Sequence, residues 1–137
     1  MPVTGRLTAA PGVAPGPGFA HAVSVAGPLA FVAGQVALDA DGALVGPGDL
    51  RAQTRQALAN LHAILRELGA DWPDVARFGW YVLDASAVQV IRDVRDEMIR
   101  PVLGDRANPA STLVQVAALV RPEFLIEVEA VVALPAG

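Results

Sequence analysis

Glu127 lies in the run Leu125-Ile126-Glu127-Val128-Glu129, on the opposite strand face from Ile126, Val128, Ala130 and Val132. A carboxylate displayed in this way can orient a water or act as a general base. The plain alternative is one of two exposed or interface carboxylates on an edge. Ser111 begins a strand, and a serine nucleophile needs an adjacent base. The histidines are His21, on an early strand, and His62, on a helix. Neither has the sequence context of a triad, so a pocket-lining hydroxyl or an ordinary strand residue is the stronger reading of Ser111. Two histidines without a third ligand at a matching spacing do not make a metal site, and none is expected. The chain has no cysteine, which removes thiol catalysis, disulfides and cysteine metal sites together. Arg92, on a helix, and Arg121, in a turn, could each supply a cation to a site; the commoner fate of such residues is a solvated surface pair. Gly34, inside a strand, reads as a bulge or a point of close approach.

These residues need elements to hold them. Met1 to Gly18 is rich in Pro and Gly and reads as an extended or looping lead-in, with the single domain over 19–137. Strands are expected at Phe19 to Val25, Leu29 to Leu38 and, after the Asp41-Gly42 turn, Ala43 to Val45. Asp49 caps a helix from Leu50, whose Ala57, Leu58, Leu61, Ile64, Leu65 and Leu68 recur at helical period, and Gly69 closes it. On its polar face Arg51, Arg55, Arg66 and Glu67 fit ordinary surface pairing. Val75 to Leu83 is a strand. Asp84 or Ser86 caps a second helix running to about Arg100, with Pro101 marking its end. Ser111 to Leu119 and Phe124 to Leu134 are the last strands. Trp72, Phe78 and Trp80 read as core or interface filler. The order β-β-(β)-α-β-α-β-β describes an α+β domain with both amphipathic helices buried on one face of a sheet.

At 137 residues the chain makes one domain, burying about 70% of its unfolded surface. Hydrophobic residues form 53% and charged residues 18%, a surplus of apolar surface that points to an oligomer. No apolar run approaches the ~18 residues of a membrane span, and Met1 to Ala20 has neither the charged start nor the apolar stretch of a signal peptide. A reducing cytoplasm is the expected location. A net charge of −4, without a basic run interleaved with aromatics, argues against a nucleic-acid partner.

Three stretches carry a resemblance. They are FVAGQVALDADGALVGPGDLRAQTRQALANLHAIL from Phe31, YVLD from Tyr81, and NPASTLVQVAAL from Asn108 followed by FLIEVEAVV from Phe124. In this combination and order they resemble the Rid/YjgF (reactive-intermediate deaminase, RidA-like) family along nearly the whole length. The resemblance implies a chorismate-mutase-like fold, with one mixed sheet and two helices on one face. It implies a homotrimer with three clefts between neighbouring subunits, and hydrolysis of a reactive enamine or imine with release of ammonia and without a cofactor.

In that family a guanidinium grips the substrate carboxylate, a glutamate holds the attacking water, and a tyrosine and a serine close the pocket. Carried over residue by residue, the arginine's place after Pro109-Ala110 is held by Ser111. The glutamate is Glu127, the tyrosine falls at Phe19, the serine falls at Ala33, and Gly34 is kept. Loss of a charged hydrogen bond of roughly 1.5–3 kcal/mol implies a less charged, more apolar pocket lined by Phe19, Ala33 and Leu113. A neutral or bulkier substrate then becomes plausible. Three readings follow: an enamine/imine hydrolase of altered substrate range using Glu127, a non-catalytic trimer binding a small molecule or partner in the same clefts, and an RNA-cleaving protein, which the acidic charge opposes.

Overall fold

A computed structural model describes residues 2–16 and 18–135. Its elements are β1 (Val3–Leu7), β2 (Ala22–Val25), β3 (Leu29–Gln35), α1 (Leu50–Glu67), β4 (Val75–Val82), α2 (Val88–Leu103), β5 (Ala110–Gln115) and β6 (Ile126–Ala133), with single 3-10 turns at Trp72–Asp74 and Ala85–Ala87. Strands β3, β6, β4 and β5 form a mixed sheet in that spatial order. The pairs β3–β6 and β6–β4 are antiparallel, and β4–β5 is parallel. Both helices pack on one face. Leu58, Leu61 and Leu65 of α1 and Ile91, Val94, Ile99 and Leu103 of α2 meet Phe78, Trp80 and Val82 of β4 and Ile126, Val128, Ala130 and Val132 of β6 in one core. The expected α+β architecture is present.

Helix α1 follows its sequence signals. The Asp49 carboxylate accepts from the Ala52 amide at 3.1 Å, and Gly69 takes the positive φ that ends the helix. Buried Gln53 ties loops to this helix. Its side-chain nitrogen donates to the carbonyls of Gly46 and Glu123, and its oxygen accepts from the Leu125 amide at 2.9 Å, two residues before Glu127. Such pairing of buried backbone groups fixes where β6 starts.

Several boundaries differ from expectation, mostly because of tertiary partners. The lead-in contains a strand: β1 pairs antiparallel with β2, and Ala20 bridges to Ala110 at the open edge of β5. The second expected strand stops at Gln35 because Asn60 of α1 takes the carbonyls of Val36 and Leu38 at 3.0 and 2.9 Å. The short return strand is a single bridge, Leu38 to Leu44. Asp84 caps the 3-10 turn through the Ser86 amide, and α2 proper begins at Val88. Pro101 does not end α2, which runs to Leu103. A proline in the last turn removes one hydrogen bond, and the Arg100 side chain covers the exposed end by donating to the carbonyls of Gly104 and Arg106. Strand β5 ends at Gln115 because its partner β4 ends at Val82 in that register.

Asp71 shows how the connection after α1 is locked. Burial pushes its carboxyl up, but the Trp72 amide, the His62 ring at 2.8 Å and the Arg66 guanidinium together outweigh burial and hold it below its ordinary value of 3.8. A depressed folded value means the contribution is complete above the unfolded value and is lost as pH falls through the folded one. Asp71→Asn is therefore expected to lower the melting temperature by a few degrees at pH 7, and the gap to native protein should narrow as pH falls below the ordinary value of 3.8 and through the lower folded one in a pH series of thermal melts. A gap that persists at acid pH would show that packing, not charge, carries the effect.

Candidate functional site

The residues marked by the sequence fall into two groups on opposite faces of the sheet. Alternation along β4 separates them: Trp80 points into the core beneath the helices, while Tyr81 points to the bare face.

The first group lines a cleft of about 430 Å³ between β5 and the start of α2. Phe19, Arg92, Ser111 and Leu113 all face it, with Trp80 and Arg95. Asn108 assembles this wall. Its side-chain nitrogen donates to the Gly18 carbonyl at 2.7 Å, its oxygen accepts from Arg100 at 3.1 Å, and its own carbonyl takes the Ala20 amide. The loop bearing Phe19 is thereby stapled to buried Pro109 and to Ala110, which lead into Ser111. The Ser111 hydroxyl accepts from the Trp80 indole at 2.9 Å, so its own proton remains to be donated. No histidine lines this cleft among the described residues, consistent with reading Ser111 as a lining hydroxyl.

The second group lies on the bare face in a shallow cleft of about 390 Å³ lined by Gly34, Tyr81, Glu127 and Glu129, with Leu119 and Val120 at its rim. Ala33 is exposed on the strand beside Gly34. The β3–β6 register shifts between Val32 and Gln35, so Gly34 sits in the expected bulge. A Cβ on Gly34 would overlap the Glu127 carboxylate. Glycine is what lets that carboxylate lie flat against the neighbouring strand. The next glutamate is anchored instead: Tyr81 donates to Glu129 at 2.5 Å, and this bond raises the Tyr81 hydroxyl above its ordinary value. Gly34→Ala leaves the fold in place, because the displaced atoms are the mobile end of one side chain, but it should move the Glu127 carboxylate. If Glu127 works as a base, turnover falls about tenfold or more with little change in melting temperature. Equal turnover would remove Gly34 from the site.

One expectation needs correction. The pocket without the strand arginine was to be less charged; instead α2 brings Arg92 and Arg95 into it. Arg121 is elsewhere, over the Phe124 ring and near Glu123. The sequence alone does not single out Arg95, since a single arginine in a polar helical stretch looks like solvent-facing surface. The signal available was its spacing of three from Arg92, which puts both on one helix face.

Beside Tyr81 and the two glutamates, the bare face leaves apolar side chains open. Phe31 is 78% exposed and Val120 84% exposed, with Leu29 and Val114 also open. Among the described residues, no helix is long and apolar enough to cross a membrane.

Comparison with known proteins agrees with this architecture. The model of the Endoribonuclease L-PSP family matches residues 9–134. A RutC family protein of Pyrococcus abyssi is 33% identical over 113 residues, covering 82% of this chain and 84% of its own. Protein DfrA of Myxococcus xanthus is 32% identical over 114 residues, 82% of each chain. Among solved structures, the Rid-family protein YyfB of Yersinia pestis is 41% identical with a TM-score of 0.75, over 85% of this chain and 87% of that one. With the mixed sheet, its two helices and the Asn108-Pro109-Ala110 strand entry, these matches place the chain in the Rid/YjgF family.

Proposed function

We propose that this chain is a hydrolytic deaminase of reactive enamine or imine small molecules, working as a homotrimer in the cytoplasm without a cofactor. The observation that carries the reading is the division of the site. Among the described residues, one face of the protomer holds a cleft lined by no carboxylate or histidine, and the other holds a carboxylate seated against Gly34 on a sheet face where Phe31 lies open. A neighbouring copy laid on that sheet covers Phe31 and Val120 and brings its own Phe19–Ser111 cleft toward Glu127. Glu127 takes a proton from water as the oxygen adds to the carbon of the protonated imine. It returns that proton to the carbinolamine nitrogen and takes up the hydroxyl proton as the C–N bond breaks, leaving an oxo product and ammonia.

RNA cleavage, which the family model's description names, is not carried to this chain: a net charge of −4 repels a phosphodiester backbone. Binding without turnover is the second reading, favoured by Phe19 and Ala33 standing where the resemblance places hydroxyls. The test generates the imine of 2-oxobutanoate in situ from threonine with a pyridoxal-phosphate dehydratase and follows ammonia. Added protein should speed its release above the dehydratase alone. Unchanged ammonia release with a ligand retained in the cleft would favour binding alone.

A further inference from the structure

We infer that Arg92 and Arg95 of α2 form the carboxylate anchor of the cleft, so that its substrates are imines of oxo acids gripped from the helix side. This rests on the deaminase reading for the site but concerns a different wall of it. The two residues are three apart on one helix face, and both line the cleft opposite Ser111. Arg95 is buried, its side chain 10% exposed. Its Nε donates to Asp96 at 3.0 Å, and Nη2 lies toward Gly18, on the side of an adjoining cleft that Arg95 also borders. A guanidinium has five donors in a rigid fork, and Asp96 is the acceptor of one of them among the described residues. A buried cation held through one edge is poised for a planar anion on the other. Arg92 is half-buried and has no ion-pair partner among the described residues. The Ser111 proton supplies a further donor. Phe19, Ile91 and Leu113 provide the apolar remainder, and a cleft of about 430 Å³ suits a small acid.

Removing one charged hydrogen-bond donor corresponds to about ten- to a hundredfold in affinity. The test is calorimetric titration of the native trimer with 2-oxobutanoate and with its methyl ester. Both ligands are then titrated into Arg92→Gln, Arg95→Gln and, as a surface control, Arg66→Gln. The acid should bind at least tenfold tighter than the ester. Each cleft variant should lose about tenfold or more for the acid and nothing for the ester, with Arg66→Gln unchanged. Should Arg95→Gln fail to fold, Arg92→Gln decides alone. Equal affinity for acid and ester, or acid binding untouched in the cleft variants, overturns the anchor. Arginine-dependent acid binding without ammonia release leaves the anchor standing and removes the deaminase reading. Ammonia release indifferent to both arginines does the reverse.

Discussion

Glu127→Gln is expected to lower imine hydrolysis about 10²- to 10⁴-fold, the usual contribution of a positioned general base. The substitution keeps the size and hydrogen-bonding reach of the side chain and removes its ability to take a proton. Because Gly34 leaves room against which the carboxylate rests, the glutamine should occupy the same place. Melting temperature and oligomeric state should therefore stay at native values while ammonia release collapses. Glu129→Gln is the matched comparison. That carboxylate is already engaged by the Tyr81 hydroxyl, so its loss should cost far less activity. A Glu127→Gln variant that turns over at the native rate would take the base away from this position.

For the proposed homotrimer, Phe31→Asp is expected to dissociate the copies and abolish activity with them. Phe31 stands on the bare sheet face at 78% exposure, on the edge strand β3 with Leu29, while Val114 lies open on the far edge strand β5. Burying such a side chain contributes about 1.5–3 kcal/mol, and a trimer does so three times. An aspartate there loses that burial and adds a charge to an apolar interface. The isolated protomer should keep its helices by circular dichroism, because Phe31 lies outside the core beneath them. It should sediment at one third of the native mass and release no ammonia, since its cleft would lack the neighbour's carboxylate. A variant still trimeric would mean that the copies meet through another surface.

The fold was largely readable because its main signals are local and periodic. Helix α1 announces itself through Asp49, the leucine spacing and Gly69; β6 does so through strict alternation of Ile126, Val128, Ala130 and Val132 with the glutamates. What escaped depends on tertiary partners. Strand β1 carries one buried residue, Val3, and exists because β2 lies beside it. Pro101 would end an isolated helix, yet α2 continues where Arg100 covers the carbonyls beyond. The site was half-legible for the same reason. Alternation displays Glu127, but that Gly34 makes its seat is a fact of strand pairing. The Asn108-Pro109-Ala110-Ser111 run marks the cleft, but the arginines facing it come from a helix some fifteen to twenty residues earlier in the sequence, whose orientation no local pattern gives.

The most direct measurement is ammonia release from the threonine-derived imine with native protein and Ser111→Arg side by side. The native chain should already accelerate release, because its carboxylate and its cation lie elsewhere than on the strand at Ser111. If only Ser111→Arg were active, the scaffold would be sound but the native cleft would serve binding or another chemistry, which contradicts a native deaminase.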